Sequence, residues 1–153
     1  MPKPVTVFEE IERKIKPFQG YKPALVSLEC LPPGYSLCFA FHYVDADLSN
    51  GGISQLYSNS TWCLILTAQR AAEVAAANEL SSVIKEIVYY YHRKGRSKLK
   101  RSIPDGYFND MPKNWDKSLS DLENDYFALD SQREQIIETL CRTRADLFNV
   151  QKT

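Results

Sequence analysis

Apolar residues recur every three or four positions along most of this 153-residue chain, which is the spacing of one face of an α-helix. The stretch 35–48 shows this spacing most clearly, through Leu37, Phe41, Val44 and Leu48. With stop signals such as Pro17, the pattern predicts helices over about these ranges: 7–16, 24–31, 35–48, 53–59, 61–77, 79–91, 119–129 and 131–141. The range 24–31 is too short for periodicity to separate helix from strand, and we favour helix because no partner strand is predicted elsewhere.

Start signals precede three of these helices. Two starts carry the Ser/Thr-x-x-Glu pattern of a capping box, in which both side chains accept hydrogen bonds from amide groups at the helix start. They are Thr6 with Glu9 and Ser131 with Glu134. Asn78 is the predicted cap of the helix that begins after it.

The only Gly-Gly pair of the chain, Gly51-Gly52, follows the 35–48 helix. Glycine is favoured just past a helix end because the backbone takes a positive φ there, so a sharp corner into the 53–59 helix is predicted. The alternative, phosphate binding by amide groups at this corner, lacks the further glycines and the lysine or strand context of nucleotide motifs. Three amide side chains are expected to hold the two helices at a fixed angle: Asn50, Gln55 and Asn59.

The helical pattern breaks over residues 94–117, which carry Pro104, Gly106 and Pro112. We expect an exposed connection here, within a single domain that covers residues 1–153, with the end of the chain docked through 145–148. No alternating segment with a hairpin turn occurs. The predicted class is therefore all-α, a compact single-domain bundle of about six to eight helices.

A basic run opens this connection, with six basic residues among the nine at positions 93–101. A solvated loop is the favoured interpretation, because cations are favourable at a helix C-terminus. Contact with a protein, or with nucleic acid through base stacking on Tyr89, Tyr90 and Tyr91, stays open as an alternative.

The overall charge gives no long-range attraction to a polyanion. Nineteen basic residues balance nineteen acidic ones, so neither nucleic acid nor an anionic membrane is favoured as a direct partner. No apolar run approaches the roughly 18 residues of a membrane span, and the first residues lack an apolar signal core, so we expect a cytoplasmic protein.

Candidate catalytic groups are sparse. The four cysteines lie at positions 30, 38, 63 and 141 without a Cys-x-x-Cys pair, and we expect reduced, mostly buried thiols. Cys38 and His42 share a helix face, which would suit a thiolate–imidazole pair, but no third orienting residue is visible. His42 with Asp45 and Asp47 is a weak metal-ligand set. We therefore predict no catalytic residue, no cofactor and no metal.

Residues 50–60 read Asn-Gly-Gly-Ile-Ser-Gln-Leu-Tyr-Ser-Asn-Ser, after an apolar helix and before an alanine-rich one, and the run 122–130 precedes the final helix. This arrangement resembles a widespread bacterial family of helical domains, largely of unknown function, whose best-known member is a DNA-mimic protein. The family pattern is Asn-Gly-Gly-Phe-x-Gln-aromatic-aromatic-x-Asn-Ser, and this chain differs from it at Ile53 and Leu56. The resemblance covers about 35–148 and includes the motif residues Asn50, Gly51, Gly52, Gln55, Tyr57, Asn59 and Ser60.

The resemblance implies a compact helical domain that works by binding another protein. In a DNA mimic, surface carboxylates imitate duplex phosphates and occupy a DNA-binding protein. Between positions 105 and 146 this chain has ten acidic residues against five basic ones. The candidate partner-binding residues are Asp121, Glu123, Asp125, Glu134 and Glu138, with Arg96, Lys98, Lys100 and Arg101 of the basic run.

The sequence therefore favours a non-catalytic protein that sequesters or inhibits a specific protein partner. Because the whole chain is neutral, a toxin-neutralising immunity protein is the leading hypothesis. A DNA mimic that occupies a DNA-binding transcription factor through its acidic C-terminal helices is the first alternative. A small enzyme that uses Cys38 and His42 is the second. The expected partner is a toxin or a DNA-binding regulator, and a homodimer is left open.

Overall fold

The computed structural model describes residues 1–93, 103, 106, 107, 109 and 117–149. These residues form seven α-helices and two short 3-10 helices, without any strand among them, and they confirm the all-α prediction. The α-helices are α1 (Pro4–Ile15), α2 (Tyr21–Leu28), α3 (Pro33–Ser58), α4 (Ile65–Val74), α5 (Asn78–Arg93), α6 (Leu119–Phe127) and α7 (Asp130–Thr143). The 3-10 helices cover Ser60–Leu64 and Ala145–Phe148.

Helix α3 lies at the centre of the fold and contacts all the other α-helices, with α5 reached through the long side chain of Tyr57. Its apolar positions recur at helical spacing on several sides, so the helix is enclosed by its neighbours. Phe39, Phe41, Leu48, Ile53 and Leu56 are each at most 2% exposed. The elements that carry the acidic C-terminal residues, α6 and α7, pack directly on this helix.

Both capping boxes predicted from the sequence are wrong. Helix α1 begins at Pro4 without a side-chain cap, because a proline in the first turn already has the helical φ and needs no amide partner. Helix α7 begins at Asp130 after Leu129, again without a side-chain cap. The capping box lies instead at α6, where Ser118 and Asp121 bond each other's backbone amide groups.

The alanine-rich helix is shorter than the predicted range 61–77. It begins as the 3-10 helix Ser60–Leu64, and α4 then ends at Val74. Ala76 takes a φ of 59°, and the amide groups of Ala76 and Ala77 donate to the carbonyls of Glu73 and Ala72. This is the hydrogen-bond pattern of a Schellman motif, formed here with alanine where glycine is usual.

The end of the chain docks at the start of α3. Phe148 is 7% exposed and its ring meets that of Tyr35 at a centroid distance of 5.5 Å. A Cβ at Gly34 would lie 2.7 Å from the Phe148 ring, so glycine is required for this close approach. Within the predicted exposed connection, Ile103 is buried and the Tyr107 hydroxyl donates to Gln69 Oε1 at 2.5 Å, so the prediction is wrong at these two positions.

Candidate functional site

The centre of the candidate site is a corner in α3 at Gly52. Its backbone has φ 70° and ψ −166°, a combination that is essentially restricted to glycine. A Cβ at this position would also overlap Glu123 Oε1. The chain therefore turns at Gly52 and resumes a helix at Ile53, as the glycine pair predicted, with α3 ending at Ser58.

A single carboxylate, Asp47, collects the side chains on the inner side of this corner. Its Oδ1 accepts hydrogen bonds from Gln55 Nε2 at 3.1 Å and Asn59 Nδ2 at 3.2 Å. Its Oδ2 accepts one from the Thr61 hydroxyl. Asn50 is exposed and makes no side-chain hydrogen bond within the described part of the chain. Two of the three amide side chains of the motif, those of Gln55 and Asn59, thus meet at Asp47 and hold the corner, and Asn50 takes no part in these contacts.

Glu123 on α6 occupies the amide end of the helix that begins after the corner. Its Oε1 accepts a hydrogen bond from the Ile53 backbone N–H at 2.9 Å. A carboxylate is favourable there because amide groups without helical partners point outward at a helix start. The alternative of phosphate binding at this corner is therefore wrong, because an internal carboxylate already accepts from that amide group.

Arg133 and Asp45 join α3 to both acidic helices. Asp45 Oδ1 accepts from the Tyr126 hydroxyl and from Arg133 Nη1, each at 2.5 Å, and Arg133 also pairs with Asp130. The Arg133 guanidinium lies over the rings of Tyr126 and Phe127, at 4.8 and 5.5 Å from their centroids. This buried arginine holds α7 against α3 and α6.

These contacts shift two pKa values in the same direction. Burial, followed by the charge of Asp45, raises the pKa of Tyr126 well above its ordinary value. Burial lowers the pKa of Arg133, but its hydrogen bonds to Asp130 and Asp45 outweigh that effect and leave the pKa raised. Tyr126 is thus a neutral donor and Arg133 a permanent cation in this network.

Two of the predicted partner-binding acids are exposed and unpaired in the part of the chain that the structure describes. Glu134 and Glu138 are exposed on α7 and make no ion pair within the described residues. They are four positions apart, which places them on one face of the helix about 6 Å apart along its axis.

Two further acids of the set accept hydrogen bonds only from backbone amide groups. Asp121 is exposed and accepts from the Ser118 amide group, and Glu123 accepts from Ile53 as described above. Neither acid makes an ion pair within the described residues, so no cationic side chain is paired with them on α6.

The fifth acid of the set, Asp125, is neutralised. Lys117 Nζ lies 2.6 Å from Asp125 Oδ2 and 3.0 Å from Glu86 Oε2. These two hydrogen bonds raise the pKa of Lys117. The predicted basic contacts Arg96, Lys98, Lys100 and Arg101, and most of the 94–117 connection, lie outside the described residues.

Tyr57, the aromatic residue of the motif, points away from the acids and toward α5. Its hydroxyl donates to the Ile87 carbonyl at 2.6 Å. Its ring meets those of Tyr91 at 4.5 Å and Trp62 at 5.3 Å between centroids. The motif thus supplies contacts on both sides of the corner, with Asp47 on one side and this aromatic cluster on the other.

The proposed thiolate–imidazole pair has no geometric basis. Cys38 is fully buried, and burial followed by the neighbouring Cys141 thiol raises its pKa, so it stays protonated. His42 packs between Phe8 and Tyr43, at ring distances of 4.9 and 5.0 Å, and burial lowers its pKa. The expectation of mostly buried thiols holds for Cys38 and Cys141; Cys63 is half-buried and Cys30 is exposed.

His42, Asp45 and Asp47 do not form a metal site. His42 packs on aromatic rings, while Asp45 and Asp47 accept hydrogen bonds from separate groups of donors. The part of the chain that is described holds no cluster of three metal-ligating side chains. None of the described helices is long and apolar enough to cross a membrane.

The fold and the site define a compact all-α domain, bent at a glycine corner, whose last two α-helices present carboxylates. Residues 29–144 match the DMP19-like protein family, and the chain belongs to that family. No curated protein and no solved structure gives a significant match. The family's DNA-mimic character agrees with the first alternative drawn from the sequence and implies a protein partner.

Proposed function

We propose that this protein is a non-catalytic binder that occupies a DNA-binding protein by presenting carboxylates in place of DNA phosphates. Membership of the DMP19-like protein family supports a DNA mimic over the immunity protein that the neutral charge of the chain favoured. The acidic surface consists of Asp121, Glu123, Glu134 and Glu138.

The observation that carries this proposal is the pair Glu134 and Glu138. Both are exposed, both lack a counter-charge in the described chain, and one helical turn separates them. Their axial separation of about 6 Å is close to two steps of one DNA strand, which advances about 3.4 Å per nucleotide. A basic groove built for a phosphate strand therefore meets negative charge on α7 at about the spacing of every second phosphate.

The rigid network beneath this surface supports the same role. The Arg133 side chain is 9% exposed and pairs with Asp45 and Asp130, so it is not available to neutralise Glu134 and Glu138. Over the described residues 117–149, seven acidic residues face four basic ones. The negative charge is thus concentrated on one part of the chain. The net charge of zero for the whole chain does not cancel it for a partner in direct contact.

A toxin-neutralising immunity protein is the second candidate. The observations that favour it are the neutral total charge and the Phe127 side chain, which is 37% exposed beside Asp130 and Arg133. A surface of mixed charge with an exposed aromatic residue is typical of a protein interface that does not imitate DNA.

Capture from nuclease-treated lysate of the source cells tests the proposal. The full-length protein is immobilised, and bound proteins are eluted first with duplex DNA and then with denaturant. We expect the duplex to release a DNA-binding protein, because both ligands use the same basic groove. The Glu134→Gln/Glu138→Gln variant should retain much less of that protein, while an Arg142→Gln variant should retain at least as much.

The outcome that overturns the proposal is equally defined. If the retained proteins elute only with denaturant and bind the double variant as well as the natural chain, DNA mimicry is wrong. A secreted toxin in that second eluate supports the immunity candidate. Both variants change exposed side chains, so urea denaturation should show stabilities within about 0.5 kcal/mol of the natural chain.

A further inference from the structure

Aromatic side chains surround a small opening on the side of the molecule formed by α1, α2 and α3. Its volume is about 160 Å³, and its walls are Glu12, Ile15, Lys16, Phe18, Tyr21 and Tyr43. All but Tyr43 precede residue 29, so they lie outside the part of the chain that matches the family. The opening is a feature of this chain separate from the carboxylates of α6 and α7.

Three rings form the apolar walls at inclined angles. The Phe18 and Tyr21 rings meet at 5.2 Å between centroids with an interplanar angle of 71°, and Tyr21 meets Tyr43 at 5.1 Å and 58°. Phe18 is 51% exposed, so part of its ring surface is accessible to a ligand. The face of an aromatic ring carries a negative potential, which attracts a cation placed over it.

The charged side chains at the opening are not paired with each other. Glu12 and Lys16 are four positions apart on and just after α1, yet neither makes an ion pair in the part of the chain that is described. Glu12 therefore offers a carboxylate at the edge of the rings. The charge of Asp47 adds a negative potential here, since burial, Tyr43 and Asp47 together raise the pKa of Tyr21.

We propose that this aromatic opening binds the guanidinium group of an arginine side chain from a partner protein. A guanidinium is planar, stacks on aromatic rings and can bond a carboxylate through two N–H groups, which fits Phe18 and Tyr43 with Glu12. The volume corresponds to about five water molecules, enough for a guanidinium and its first methylene. The proposal is independent of whether that partner also binds DNA.

An NMR titration of the full-length protein with N-acetyl-arginine methylamide tests this site without any partner. The ring signals of Phe18, Tyr21 and Tyr43 should shift with millimolar affinity. The citrulline analogue has nearly the same shape and no charge, and it should shift them far less. Phe18→Ala and Glu12→Gln should each weaken arginine binding by roughly fivefold, in keeping with exposed cation–π and ion-pair contacts.

Three further variants are expected either to tighten arginine binding or to leave it unchanged. Lys16→Gln removes the repelling cation and should tighten arginine binding by roughly twofold, since a charge a few ångströms away is only partly screened. Val26→Ala changes a side chain that is 57% exposed and does not line the opening, so it should bind as the natural chain does. The Glu134→Gln/Glu138→Gln variant should also bind arginine normally, which separates this site from the proposed function.

Equal shifts with citrulline and arginine would show an uncharged apolar slot and overturn the proposal. So would a Lys16→Gln variant that binds arginine more weakly, or no shift with either compound. Should Phe18→Ala fail to fold, Glu12→Gln and Lys16→Gln alter exposed side chains only and carry the same test.

Discussion

Asp47 shows at the scale of one residue how the corner in α3 is fixed. The sequence predicted that amide side chains would hold the helices before and after the glycine corner at a fixed angle. Gln55 and Asn59 do donate to one common acceptor. The sequence did not predict that an acid eight positions before Gln55 would accept from both, and from Thr61 as well. Such a contact depends on the turn at Gly52 and leaves no periodic signal in the chain.

Removing this acceptor should destabilise the protein. In Asp47→Ala, three donors lose their partner at once, of which Gln55 and Thr61 are shielded from water, and we expect a loss of about 2 kcal/mol in the free energy of unfolding. Urea denaturation measures it. Asp146→Ala, which breaks only the exposed pair with Arg144, is the matched control and should leave the urea midpoint nearly unchanged. Equal stabilities for the two variants would show that the hydrogen bonds to Asp47 do not stabilise the corner.

Gly52 is the second residue on which the corner depends. Gly52→Ala forces a side chain into a backbone region that is essentially glycine-only and into contact with Glu123, so we expect a loss of about 2–3 kcal/mol. Asn50→Ala is the control, because Asn50 is exposed and makes no side-chain hydrogen bond within the described chain. A Gly52→Ala variant as stable as Asn50→Ala would mean that the corner does not need the conformation observed.

At the scale of the elements, Glu123 connects two roles. It accepts from the Ile53 amide group, which joins α6 to the part of α3 after Gly52, and it is one of the carboxylates proposed to face a partner. Glu123 is among the acids that the sequence predicts to bind a partner, but no sequence pattern indicates that it caps a helix that begins seventy positions earlier. A long-range cap of this kind has no local sequence pattern.

Two substitutions separate these roles of Glu123. Glu123→Ala removes the cap and should lower the free energy of unfolding by about 1 kcal/mol. Glu123→Gln keeps an oxygen acceptor and should cost less than half of that, while it removes the charge offered to a partner. Thermal or urea denaturation gives the first comparison, and partner retention gives the second. Identical stabilities for the two variants would contradict the capping role.

The boundaries of the helices show where sequence patterns reach their limit. Apolar spacing predicted the helices and the fold class, because the buried face of each helix follows from its own residues. It missed the end of α4, since a Schellman motif closed by Ala76 has no glycine to indicate it. The capping-box pattern also placed the start of α1 at Thr6, whereas the helix begins two residues earlier, at Pro4.

At the scale of the whole molecule, stability should fall in alkaline solution. Burial raises the pKa of Cys38 and Tyr126 above their ordinary values near 9 and 10, so the folded chain keeps protons that the unfolded chain releases. Their contribution is complete below pH 9 and is lost as the pH rises further, with each group approaching about 1.4 kcal/mol per pH unit.

Urea midpoints between pH 7 and 10.5 measure this decline. The Cys38→Ala variant is the control, because it lacks the thiol and should lose stability less steeply between pH 9 and 10. A natural chain whose midpoint is constant over the whole range would show that these groups titrate normally in the fold.

The central claim concerns the outer surface of α7, where Glu134 and Glu138 stand in for phosphates. It is tested most directly by displacement of a labelled duplex from the captured DNA-binding protein, followed by fluorescence anisotropy. The natural chain should displace the duplex. The Glu134→Gln/Glu138→Gln variant should need at least about tenfold more protein, equivalent to about 1.4 kcal/mol, and Arg142→Gln should need no more than the natural chain. Equal displacement by the double variant, or no displacement by the natural chain, would contradict the account.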